Sequence, residues 1–173
     1  RNRPRSFAAA LRAAPLHRKE NECLLITKQL KQKNTVSPPG EYEGEYAIYN
    51  ATPYAEQKKK GFGFANPLNH FYSFYAGEEL VGFINLYEEE TEVFFGIGVA
   101  PAHCGKGYGR QMTEIACMLS RRLFPGKPLY LEVRTWNTRA VRCYQKAGFR
   151  IVGEPLRQTT SLGEGLFYRM VAQ

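Results

Sequence analysis

The 173 residues are 43% hydrophobic and 23% charged, enough to bury the core of one domain. No apolar run approaches the roughly eighteen residues that a membrane-spanning helix needs, so no membrane partner is expected. The net charge of +8 suggests nucleic acid, but residues 1–19 hold six basic residues and no acid; the remainder, 18 basic against 16 acidic, is close to neutral and argues against that partner.

The leading stretch "RNRPRSFAAALRAAPLHRK" is rich in Arg and Ala and has no acid, as organellar targeting segments do. Arg12 interrupts its apolar part, which argues against a secretory signal. We read residues 1–20 as a disordered basic tail and residues 21–173 as a single domain. Cys23, Cys104, Cys117 and Cys143 are widely spaced and form no CxxC pair, and His17, His70 and His103 add no ligand spacing. No metal site is expected, and the thiols suit a reduced, cytoplasmic location.

In chain order, "ECLLITKQL" over residues 22–30 predicts a first strand, and "NTVSPPGE" then breaks regular structure. Residues 42–64 are aromatic and irregular, with a short helix expected around 54–60. "HFYSFYAGEELVGFINLYEEETEVFFGIGV" predicts three strands with turns at 76–79 and 88–91. From Gly109 the period becomes helical, with Met112, Ile115, Ala116, Leu119 and Leu123 on one face, until Pro125 and Gly126 stop it. "PLYLEVRT" is a fifth strand. "NTRAVRCYQKAG" is a second helix, with Asn137 as N-cap and Gly148 after its end. "FRIVGE" and "LFYRMV" supply two more strands. This pattern predicts an α/β (α+β) domain around a mixed central sheet of about seven strands.

The motif that bears on function is "FFGIGVAPAHCGKGYGRQM", residues 94–112. Gly96 and Gly98 lie inside a strand, where glycine marks a bulge or a close approach by backbone or ligand. Gly105, Gly107 and Gly109 lead into a helix whose free N–H groups favour an anion, with Lys106 and Arg110 adding positive charge. The spacing excludes a P-loop, since Lys106 is followed by Gly107, and "GKGYG" is one residue short of a dinucleotide fingerprint. A loop whose glycines merely permit tight turning remains open at this point.

"VAPAHCGKGYG" followed by "LEVRTWNTRAVRCYQKAGF" resembles the GNAT superfamily of acetyl-CoA-dependent N-acetyltransferases, over roughly residues 71–170. The resemblance implies a GNAT-like fold and acetyl-CoA as co-substrate. Its pyrophosphate would lie on Cys104, Gly105, Lys106, Gly107, Tyr108, Gly109 and Arg110. Its pantetheine arm would pair with the backbone of Ile97, Gly98 and Val99. Cys104 departs from the family's usual Gln or Arg, which bears on affinity more than on binding itself, since backbone N–H groups do most of the cradling.

In "LYLEVRT" the alternation puts Leu129, Leu131 and Val133 on one face and Tyr130, Glu132 and Arg134 on the other. A carboxylate in mid-strand is partly desolvated and suits a base working near neutrality. The alternative is a wet sheet face with Glu132 beside Arg134. The motif further resembles that of ribosomal-protein alanine N-acetyltransferases, which implies Glu132 as base, Tyr144 as acid and Asn137 as a cofactor contact. Glu92 is the reserve base. Cys104 and Cys143 lack a His partner in the sequence pattern, so direct transfer is expected rather than an acyl-cysteine route. An acceptor pocket is expected from residues 41–64, where Tyr42, Tyr46, Tyr49 and Tyr54 with Glu41, Glu43 and Glu45 suit a cationic amine. The function expected is acetyl transfer to the primary amine of a small molecule or peptide. The alternative is a non-catalytic acyl-CoA sensor of the same fold, and the oligomeric state, a homodimer included, stays open.

Overall fold

In a computed structural model that describes residues 25–29, 40–50, 52–160 and 163–173, eight strands form one mixed sheet. In chain order they are β1 (Leu25–Gln29), β2 (Asn69–Ala76), β3 (Glu79–Glu88), β4 (Val93–Val99), β5 (Leu129–Arg134), β6 (Phe149–Ile151), β7 (Leu156–Thr160) and β8 (Gly163–Ala172). Helices α1 (Tyr54–Lys60), α2 (Tyr108–Leu123) and α3 (Thr138–Lys146) accompany them, with 3-10 turns at Gly44–Tyr49, Gly63–Ala65 and Pro101–His103. About seven strands were expected, and the eighth is β7, whose sequence "LRQTT" carries no hydrophobic alternation. The expected basic tail, residues 1–20, and the start of the expected first strand lie outside the described residues.

The strands run β1-β2-β3-β4-β5-β8 across the sheet, and β6 and β7 share the outer side of β8. Every pairing is antiparallel except β4 with β5. That parallel pair extends over only two positions, Val93 with Leu129 and Phe94 with Tyr130. On its other side β5 is paired with β8 along Tyr130 to Arg134. Two antiparallel halves are therefore joined at one end and open at the other.

Helices α2 and α3 cover one face. Met112, Ala116 and Leu119 of α2, spaced to fall on one helical stripe, are buried against Phe95, Leu131 and Met170 of the sheet. Helix α3 starts as its sequence predicts. The Asn137 side chain accepts from Ala140 N–H at 3.2 Å, and Gly148, at φ 92°, follows the last turn. On the opposite face Phe64 packs against Phe71 and Phe83, with ring centroids 4.3 and 5.1 Å away.

Candidate active site

The gap between β4 and β5 is lined by backbone whose direction the pairing determines. Glu89 N–H bonds to Glu92 O, and Ala100 N–H bonds to Val81 O, so even-numbered residues of β4 exchange hydrogen bonds with β3. The odd-numbered ones face the other way, as Val93 N–H does in bonding Pro128 O at 2.9 Å. Ile97 and Val99 thus present N–H and C=O groups to the opening. Gly98 directs its backbone at Phe83 instead, and a Cβ there would lie 2.6 Å from the Phe83 ring. The close approach expected at Gly98 is therefore that of a neighbouring side chain.

Past β4 the chain makes the Pro101–His103 turn and enters α2 through the glycines. Gly105 and Gly107 have φ of 78° and 88°, the left-handed region that favours glycine, and neither would meet a neighbour if given a Cβ. The turn they make leaves the first N–H groups of α2 with no capping side chain. Gly109 serves packing, since a Cβ would lie 3.2 Å from the Cys143 sulfur of α3. Lys106 is exposed at this end. Arg110 is exposed too, but its Nε bonds Glu114 Oε1 at 2.8 Å along the helix. Tyr108 points its side chain inward against His103, so it offers the loop backbone only. The Cys104 sulfur lies 3.7 Å from Ala100 O and 3.9 Å from both Val99 O and the Tyr42 hydroxyl.

On β5 the alternation holds: Leu129, Leu131 and Val133 are buried in the core. The other face is not the wet surface weighed as the alternative. Tyr130 is 8% and Arg134 6% exposed. Arg134 does not pair with Glu132; it donates to the carbonyls of Glu164 at 2.9 Å and Gly163 at 3.1 Å and lies over the Phe167 ring. Glu132 is half-buried and accepts from Gln158 Nε2 at 2.9 Å. Glu92 forms an ion pair with Arg169, whose guanidinium stacks 3.8 Å from the Tyr130 ring centroid. Burial, then the neighbouring Glu89 carboxylate that its hydroxyl contacts at 3.1 Å, pushes the Tyr130 phenol up to about 12.

Tyr144 lies on the other side of the sheet. Its ring meets Phe95 at 6.5 Å and Phe149 at 6.3 Å, and its hydroxyl makes no hydrogen bond among the described residues. Burial, with Cys143, Tyr49 and Tyr42 nearby, holds its phenol well above the ordinary tyrosine range. Burial likewise pushes up the Cys143 thiol. No histidine hydrogen-bonds the sulfur of Cys104 or Cys143 among the described residues.

A scan of known families matches residues 31–149 to the acetyltransferase (GNAT) family. The chain belongs to that family. N-alpha-acetyltransferase RimI of Mycobacterium tuberculosis is 35% identical over 97 residues, 51% of this chain and 57% of the relative. The match thus spans little more than half the length of that relative. Among solved structures, spermidine N-acetyltransferase from Vibrio cholerae, in complex with CoA and spermine, superimposes with a TM-score of 0.60 at 20% identity. It covers 85% of this chain and 94% of its own. A chimera of SpeG with hSSAT gives 0.62 at 21% identity, covering 86% and 94%. These likenesses show a GNAT fold.

As a GNAT domain the chain has the parts that acetyl-CoA calls for: a split in the sheet with outward backbone groups, and a glycine turn into a helix without a side-chain cap. The sequence alone did not reveal how residues 40–50 close one side of that split. The Tyr42 hydroxyl donates to Val99 O, and its backbone exchanges hydrogen bonds with the Asn50 side chain at 2.7 and 3.1 Å. Tyr49 accepts from Asn137 Nδ2 at 3.2 Å, so the α3 cap also ties this segment down. Tyr46 and Tyr49 meet Trp136 at 5.4 and 5.9 Å, and Arg139 stacks on Tyr46. Three of the four expected tyrosines are thereby brought together. Tyr54 stays apart at the start of α1, and Glu41, Glu43 and Glu45 are exposed. Gln158 was also outside the sequence reading.

Proposed function

We propose that the protein moves the acetyl group of acetyl-CoA directly to a primary amine. The placement of Glu132 and Tyr144 supports this most strongly. Glu132 shares the sheet face of Tyr130, which meets Phe94 edge to face at 5.5 Å, whereas Tyr144 packs on Phe95, one residue along and on the reverse face. The gap runs between them. An amine reaching the gap from the β5 face loses its proton to Glu132, directly or through water. From the helix side the Tyr144 hydroxyl donates to the departing sulfur, and its elevated phenol remains protonated throughout the neutral range. The outward N–H groups of Ile97 and Val99 are donors for the carbonyl oxygen as negative charge develops. Gly105 to Arg110 hold the pyrophosphate at the start of α2, with Lys106 contributing charge. Asn137, whose side chain is engaged by Ala140 and Tyr49, contributes through the anchoring of α3 and the 40–50 segment. Glu92 is the weaker base because Arg169 already pairs with its carboxylate.

The acceptor is a small-molecule or peptide amine. The relative named for N-alpha-acetylation and the neighbours named for spermidine bracket the choice. Free thiols at Cys104, Cys117 and Cys143 fit a cytoplasmic enzyme. Turnover of acetyl-CoA against spermidine, a lysine-containing peptide and an alanine-initiated peptide tests the reading, and at least one should be acetylated. With that acceptor, Glu132→Gln should lower kcat by ~10²–10⁴-fold while acetyl-CoA binding persists. Tyr144→Phe keeps the ring and should also slow turnover. Near-normal rates in both variants would pass the roles to Glu92 and solvent.

A further inference from the structure

We infer that Gln158 is a positioning residue for Glu132, an inference that rests on reading Glu132 as the base. The two residues are brought together by strand order alone, being 26 positions apart in the chain. Gln158 is the central residue of β7, an edge strand, and faces Gly165 of β8 across the ladder. Its neighbours Arg157 and Thr159 are exposed, while Gln158 is half-buried. Its Nε2 donates to Glu132 Oε1 at 2.9 Å, and no other side chain hydrogen-bonds that carboxylate among the described residues.

The cations on the same face are engaged elsewhere. Arg169, directly across the ladder from Glu132, is held by Glu92 and the Tyr130 ring. Arg134 is held by two β8 carbonyls. A guanidinium on Glu132 would neutralise it and make it a poorer proton acceptor. A carboxamide instead fixes the rotamer through one oxygen and adds no charge. Glu132 Oε2 carries no hydrogen bond among the described residues and is available to the amine, and Gln158 Oε1 is an acceptor for another of its N–H groups. The geometry thus orients a base without disarming it.

The test is a double-mutant cycle in the 173-residue chain, with whichever of spermidine, the lysine-containing peptide or the alanine-initiated peptide is turned over. Gln158→Met keeps the length and removes the donor. It should lower kcat about tenfold, the scale of a hydrogen bond to a charged group, and leave the KM for acetyl-CoA unchanged. On the Glu132→Gln background it should cost nothing further. Gln158→His restores an N–H and should recover most of the rate, and Gln158→Glu, which does not donate when ionised, should not. These two variants carry the same test should Gln158→Met fold poorly. Normal turnover in Gln158→Met, or an undiminished tenfold loss on the Glu132→Gln background, overturns the positioning role while the base assignment stands. Wild-type turnover in Glu132→Gln overturns both.

Discussion

Gly107 combines two demands at one residue. At φ 88° it is in the left-handed region, and it is the N-cap of α2 without a capping side chain. Gly107→Asp costs about 1 kcal/mol of backbone strain, but its Cβ would meet no neighbour within 4 Å, so the fold should survive. The new carboxylate would occupy the helix end that a pyrophosphate requires. Acetyl-CoA affinity should fall more than about tenfold by calorimetry, with native circular dichroism. Unchanged affinity would remove the glycine turn from the cofactor site. Gly98 makes the opposite prediction. Gly98→Ala drives a Cβ to 2.6 Å from a Phe83 ring wedged against Phe64 and Phe71, so its cost should appear first in stability, as a lower urea midpoint. The sequence marked both glycines but not this difference, because the ring that fills Gly98 comes from a neighbouring strand.

Among the elements, those with a cap or a period could be read from the sequence. The stripe of Met112, Ala116 and Leu119 and the Asn137 cap needed only local chemistry, and both are realised. Strand β7 had neither. Its Leu156 is 53% exposed, and its partner strand supplies what its own residues do not signal. The contacts of Tyr42 with Val99 and of Gln158 with Glu132 depend on how distant segments meet, and no spacing rule reports that. Asn137 offers a test at this scale. Asn137→Ala removes the α3 cap and the bond to Tyr49, each of which anchors an element. Loss of a cap costs about 1 kcal/mol, which at this length lowers Tm by about 2–4 °C. Asn137→Asp keeps the cap and should recover most of that loss in calorimetric melting.

Across the whole molecule, phenols tie stability to alkaline pH. Burial raises Tyr42, Tyr49, Tyr72, Tyr130 and Tyr144 above the ordinary value of 10, with Tyr130 at about 12. In each, the folded state holds the proton more tightly than the unfolded chain does. Their contribution is therefore complete below pH 10 and is lost as pH rises, for Tyr130 between about 10 and 12. Urea midpoints should hold between pH 8 and 9 as far as these groups are concerned and fall above 10. Tyr130→Phe should flatten part of that fall. A midpoint independent of pH from 9 to 12 would contradict the buried-phenol account.

The divergence of β4 from β5 also gives one strand two unequal rows of amides. Gly96 and Gly98 have their N–H groups locked against β3, while those of Ile97 and Val99 point into the split. Proton exchange with solvent should therefore alternate along β4, slow at 96 and 98 and fast at 97 and 99, in the protein alone. Saturating acetyl-CoA should slow the fast pair selectively. A pantetheine arm bound there would stand in for an absent ninth strand and complete the ladder of the free protein with a partner that is not a polypeptide.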